Sequence, residues 1–155
     1  SDRVQTLIQL ASRIIQQCNI VIRPASLVSL EANDGIRDFS TSNARLIAGV
    51  LNSDRASVFF VRDTVDRPAF DAVAFGTRNS VNTPELRFTA WVTTMTVDPH
   101  IALAHELVHV LMDDGTHSYA PRNLMRGDTS PNNLELTATQ CELMQRNARA
   151  NGLLE

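Results

Sequence analysis

One segment, Ala104-His105-Glu106-Leu107-Val108-His109, constrains this chain more than any other. Residues four apart on an α-helix are separated by little more than one turn, so both imidazoles leave the same side. Two ligands of one tetrahedral zinc ion need that arrangement. Glu106 comes off the same side as His105, where a carboxylate can reach a water activated by the metal without ligating the metal itself. Ala102, His105, Glu106, His109 and Asp113 make one stripe, which on an ordinary amphipathic helix is only the wet face. The remaining positions, Ile101, Leu103, Ala104, Leu107, Val108, Val110, Leu111 and Met112, are apolar almost all round. A helix so apolar is buried on most sides, and its polar stripe then faces a cleft.

The start of this helix is signposted by Asp98 as cap and by Pro99, whose missing N–H is no loss at the first helical position. Its end matters more. An unbroken helix would carry His117 about 12 Å along the axis from His109. Asp113-Asp114-Gly115 offers a stop, with glycine as the left-handed residue on which helices often end. A turn there lets His117 join His105 and His109 as third ligand. Asp113, Asp114, Glu135 and Glu142 are the competing third ligands, the last two on or near a later helix. His100 reads as a surface residue.

The rest of the chain supplies a frame for that helix. A length of 155 residues with 43% hydrophobic content suits a single domain with a proper core. A net charge of −3 without a basic run argues against nucleic acid or an anionic membrane surface as partner. No apolar run approaches transmembrane length. The chain opens Ser1-Asp2 without an initiator methionine or signal-like segment, and a processed or excised piece is expected. Val4, Leu7, Ile8, Ala11, Ile14, Ile15 and Cys18 trace one apolar face of a first helix, with Asn19 as its stop. A short strand is expected at residues 20–22, extended or restarted at 26–30. Turn chemistry follows at Glu31-Ala32-Asn33-Asp34-Gly35. A second helix is expected over 42–51, capped by Ser40 or Thr41, with Leu46, Ile47, Val50 and Leu51 facing inward.

Residues 57–62 form a near-continuous apolar run, the mark of a central strand covered on both faces. A loop is expected at Asp66-Arg67-Pro68, then a short strand over 70–75 closed by Gly76. A longer, bent strand is expected from Leu86 to Val97. The final helix opens on a capping box, Thr137 with Gln140, and Leu136 with Cys141 can staple it. Ala138, Cys141, Met144 and Ala148 give its inward face, and Asn151-Gly152 ends it. Helix, strand, helix, three strands and a further helix predict an α+β layer arrangement. Cys18 and Cys141 fall on apolar helix faces near opposite ends of the chain. They make either a disulfide or two buried thiols. Asp128 and Asn132-Asn133 read as loop chemistry. Tyr119 stands two residues beyond His117, placed to donate to an oxyanion or to play a structural part only.

With these residues in hand, the chain resembles the metzincins, a clan of zinc endopeptidases. Their signature runs His-Glu-x-x-His-x-x-Gly-x-x-His, followed by a methionine turn beneath the metal. His105, Glu106 and His109 match its first half. Asn123-Leu124-Met125-Arg126-Gly127 is similar to the Asn-Leu-Met turn of compact bacterial members, with Met125 as the turn methionine where composition alone would suggest core packing. Leu136-Thr137-Ala138-Thr139-Gln140 resembles the opening of their last helix. The clan's glycine and third histidine would fall at Met112 and Gly115, so the likeness implies a short insertion that moves the ligand to His117. It also implies a twisted mixed sheet packed on the first helix and the active-site helix. Residues 1–109 would then be the sheet-containing part, and residues 110–155 a short subdomain carrying the third ligand, the methionine turn and the last helix.

The expected chemistry is one catalytic Zn²⁺ on His105, His109 and His117, with Glu106 as general base for peptide hydrolysis. The strand around residues 70–76 would be the edge on which an extended peptide pairs. A monomer with a peptide or protein substrate is expected, exported, periplasmic or delivered to a target cell. Two other classes stay open. One is a zinc hydrolase acting on a cell-wall or small amide, and the other is a silent, metal-stabilised binding domain. An intact Glu106 argues against the silent domain.

Overall fold

Strand β3 (Thr89–Thr93) is the centre of the sheet, and all five of its residues are buried. It runs parallel to β1 (Ser57–Val61) and antiparallel to β2 (Ala72–Phe75), giving the order β1-β3-β2. Side chains alternate across a strand. Val58, Phe60, Val92 and Ala72 therefore pack on one layer, while Phe59, Val61, Trp91, Val73 and Phe75 pack on the other. The computed structural model describes residues 2–24, 26–31, 36–51, 55–65 and 70–155. Among these the fold is α+β, a small mixed three-stranded sheet with four α-helices.

The larger core layer holds α1 (Asp2–Ile15), α3 (Pro99–Met112) and α4 (Ala138–Ala150). Helix α1 buries Ile8, Ala11 and Ile15, as its periodicity predicts, and passes through a 3₁₀ turn at Gln16–Cys18. Asn19 ends the turn in the left-handed region, φ 56°. Cys18 is bonded to Cys141, so the two cysteines form a disulfide, Cα–Cα 4.9 Å. Hydrogen bonds flank that bridge. Gln17 donates to the Leu134 carbonyl (2.9 Å) and accepts from the Leu136 N–H (2.7 Å), while Gln145 donates to the Cys18 carbonyl (2.7 Å). Helix α4 carries the expected capping box, with both the Thr137 and Gln140 halves made. Its far end closes at Gly152, φ 70°, with the Leu153 N–H returned to the Ala148 carbonyl.

The smaller layer is aromatic. Trp91 stacks on Phe59 with ring centroids 4.0 Å apart and meets Phe39 edge-on at 5.4 Å. Its indole N–H donates to Thr89 Oγ1, whose hydroxyl donates to the Leu86 carbonyl, so the buried polar atoms are paired. Helix α2 (Thr41–Leu51), capped by Ser40 Oγ at the Asn43 N–H, covers this layer with Ala44 and Ala48.

Several expectations need correction. Residues 20–22 form no strand; Ile20 is buried, but the Ile22 N–H is bonded by Ser12 Oγ of α1 (2.9 Å) rather than by a ladder. Residues 26–30 are irregular as well. In α2, Leu46, Val50 and Leu51 are exposed, and only Ile47 of the four chosen residues packs inward. β1 is covered on both faces but lies at an edge of the sheet, and β3 is central. The strand expected from Leu86 to Val97 is shorter at both ends. Leu86 sits in a 3₁₀ turn at Pro84–Leu86, Phe88 adopts φ 59° just before β3, and Met95 and Val97 are exposed beyond it. Ala138 is exposed at the start of α4. The turn residues Ala32-Asn33-Asp34-Gly35 and the loop at Asp66-Arg67-Pro68 lie outside the described residues.

Candidate metal centre

Helix α3 is buried without interruption from Ile101 to Met112, which carries His105, Glu106 and His109 into the interior. Pro99 occupies its first turn as expected, although the Asp98 side chain makes no cap bond and its carbonyl alone receives the Ile101 and Ala102 N–H groups. The helix ends at Asp113, not at Gly115. Asp113 takes the left-handed conformation, φ 51°, and Gly115 does not. The strain of a non-glycine residue there is met by tertiary bonds to its carboxylate. Asp113 Oδ1 accepts from the Thr77 N–H (2.7 Å) and Oδ2 from the Thr77 hydroxyl (2.6 Å). The turn still achieves what the sequence required, and His117 comes back to the helix.

His105, His109 and His117 form one group whose donor nitrogens lie within 4.8 Å of one another. His105 Nε2 is 3.0 Å from His109 Nε2 and 3.3 Å from His117 Nε2. Nitrogens held at bonding distance around one tetrahedral ion stand about 3.3 Å apart, so the spacing fits a single metal ion. Proton placement points the same way. His105 Nδ1 donates to the Leu124 carbonyl (2.8 Å) and His109 Nδ1 donates to the Asp114 carbonyl (2.7 Å). A carbonyl only accepts, so each Nδ1 carries its hydrogen, and in the neutral ring each Nε2 presents a lone pair. Burial holds the His105 imidazole down to about 4; the Leu124 carbonyl opposes the shift, and His109 and His117 add to it. Burial lowers His109 as well, against its bond to the Asp114 carbonyl. The rings are therefore neutral near pH 7, with lone pairs converging on one point. A cation there turns that mutual repulsion into coordination.

Glu106 is buried in the same stretch, and burial alone pushes its carboxyl up to about 8. The other carboxylates weighed as third ligands are not in the group. Asp113 is bonded to Thr77, Asp114 Oδ1 accepts from the Thr116 N–H, and Glu135 is paired with Arg122. Glu142 and His100 do not join it.

Leu124, whose carbonyl meets His105, and Met125 are fully buried. The turn is tied on three sides. Its Met125 N–H donates to Asn123 Oδ1 (2.9 Å), the Ser118 N–H beside His117 donates to the Met125 carbonyl (2.7 Å), and the Leu124 N–H donates to the Glu135 carbonyl (2.7 Å). Asn123 and Gln140 also exchange amide hydrogen bonds (2.8 and 3.1 Å). Gln140 thus caps α4 and holds the turn whose carbonyl orients His105, a double role that a capping-box reading does not reveal. The orienting carbonyls of Leu124 and Asp114 are main-chain atoms with no side-chain signature, and sequence reasoning missed both. Tyr119 is almost fully exposed. Asn133 bonds the Asp128 carbonyl within its own loop, in keeping with loop chemistry. No protein-family model matches the chain and no curated protein matches it, so any functional reading comes from the chain's own side chains.

Proposed function

We propose that the chain is a zinc-dependent endopeptidase of metzincin-like type. The observation that carries the reading is the convergence of three imidazoles on one point, two of them on a buried helix that also bears a buried glutamate with no hydrogen-bond partner among the described residues. Three imidazoles are the donor set of a catalytic zinc site that leaves a fourth position open, whereas structural zinc sites fill all four with protein ligands. Zinc, when bound, supplies a Lewis acid for the scissile carbonyl and acidifies water toward neutrality.

The remaining chemistry belongs to this chain. A carboxyl raised to about 8 by burial is poised near the operating pH, and a nearby cation favours its ionised form. Glu106 takes the proton of the attacking water and delivers it to the leaving amine. His105 and His109 are kept in the ligating tautomer by the Leu124 and Asp114 carbonyls. Strand β2 is an edge of the sheet, and Thr77, two residues beyond it, is bonded to the C-cap of the metal helix, which supports β2 as the place where an extended peptide pairs.

The test is metal analysis joined to peptide cleavage. The purified chain is expected to bind one zinc per molecule and to cleave a randomised peptide library, and Glu106→Ala is expected to retain zinc and lose cleavage. A chain that takes up no zinc, or a Glu106→Ala variant of undiminished activity, overturns the proposal.

A further inference from the structure

The outer edge of β2 is not open along its whole length. The Thr93 N–H is bonded to the Asp71 carbonyl (2.9 Å), which makes Asp71 and Thr93 a hydrogen-bonded pair of the antiparallel ladder. Such pairs alternate, so Val73 and Phe75 turn their backbone groups toward β3, while Ala72, Ala74 and Gly76 turn theirs to the outside. A peptide adding to this edge has only those outward groups to bond. Two of them are already taken by one side chain. Asn79 Nδ2 donates to the Ala74 carbonyl (2.9 Å) and the Gly76 N–H donates to Asn79 Oδ1 (2.8 Å).

A carboxamide bonding the carbonyl before Phe75 and the N–H after it does what one residue of a neighbouring parallel strand would do. The turn carrying Asn79 is held in place from both sides. Ser80 Oγ donates to the Gly76 carbonyl, and Thr77 is bonded twice to Asp113 at the end of α3. We infer that Asn79 is a specificity-determining residue that acts as a built-in competitor for backbone pairing. It breaks the complete N–H and C=O pairs of Ala74 and Gly76, so an antiparallel peptide ligand finds an intact pair only at Ala72. Peptide recognition on this edge is thereby restricted to a short backbone contact, with the rest of the affinity left to side chains.

The inference rests on the peptidase reading, and the two fail separately. Absence of cleavage by the zinc-loaded wild type strikes the peptidase reading. Edge pairing is read without catalysis, by NMR hydrogen exchange of the Ala74 and Gly76 amides with and without a saturating randomised octapeptide library. In Asn79→Ala, the peptides are expected to slow exchange of the Gly76 amide at least several-fold, with no such slowing in wild type. Asn79→Asp keeps the acceptor for Gly76 but cannot donate to Ala74. In that variant, peptide-dependent slowing is expected at Ala74 and not at Gly76, which covers the case in which the alanine variant disorders the turn. Where cleavage is measurable, KM for the octapeptides falls in Asn79→Ala while kcat stays level, and the gain disappears for backbone N-methylated octapeptides. Equal peptide protection of Gly76 in wild type and Asn79→Ala, or protection in neither variant, overturns the inference.

Discussion

At the scale of the residue, the consequential side chain is Glu106. Its carboxyl is raised from 4.5 to about 8 by burial. The folded state therefore keeps a proton that the unfolded chain releases above about pH 4.5. Stability present below that pH is lost as pH rises toward 8. Glu106→Gln removes the ionisable group and keeps its shape. Chelator-treated Glu106→Gln is expected to exceed chelator-treated wild type in stability by on the order of 4 kcal/mol at pH 8, with the gap closing toward pH 4.5. Urea unfolding at the two pH values measures this, and an equal gap at both would refute it. The zinc-loaded variant is expected to lose activity by at least about 10²-fold, the scale of a general base. His117 is the exposed member of the group, while His105 and His109 are buried.

At the scale of the element, α3 and the segments that hold it are coupled through small, specific contacts. A Cβ built on Gly76 lies 2.5 Å from Asp113 Oδ1, so a side chain there pushes that carboxylate away from its bonds to Thr77. Gly76→Ala is expected to destabilise by about 1–3 kcal/mol, the scale of overpacking. Combining it with Asp113→Ala is expected to cost less than the sum of the two single changes, and a double-mutant cycle by thermal unfolding checks this. Gln140→Ala removes half of a capping box and the clasp on Asn123. It is expected to cost about 1–2 kcal/mol and to weaken zinc binding roughly tenfold through the loosened Leu124 carbonyl, as competition with a chelator would show.

These contacts also explain where sequence reading stopped. The motif, the apolar face of α1 and the capping box are local patterns, and each is found where its period or spacing put it. Helix α2 also lies where expected, but its inward face does not, because periodicity weighs large side chains, whereas packing against Trp91 and Phe39 selects the small Ala44 and Ala48. Gly115 looked like the stop because glycine is the easy left-handed residue; Asp113 takes that role through a bond to Thr77, 36 positions away. Likewise, an apolar strand such as β1 is buried by helices and aromatic rings as effectively as by flanking strands, so its edge position is invisible in its composition.

At the scale of the molecule, the candidate metal site sits in the larger core layer, where the disulfide ties the end of α1 to α4. Helix α3, the Leu124–Met125 turn and α4 share one core cluster with α1. Zinc that binds only the folded state raises its stability, by about 2.7 kcal/mol at a free concentration one hundred times Kd. Chelation is therefore expected to lower the melting temperature reversibly, as differential scanning calorimetry with zinc add-back would show. The Cys18–Cys141 bridge closes a loop with a sequence separation of 123 residues. In the chain-entropy account such a loop is worth about 5 kcal/mol. The double serine variant at these positions is expected to lose stability on that scale and to unfold at lower urea. No described helix is long and apolar enough to cross a membrane.

The same bridge also governs how the chain comes apart. A single backbone nick anywhere between the two half-cystines yields two pieces that stay covalently joined and migrate together until a thiol reagent is added. If the proposed peptidase activity holds, the first self-inflicted cut within that span leaves the two halves tethered.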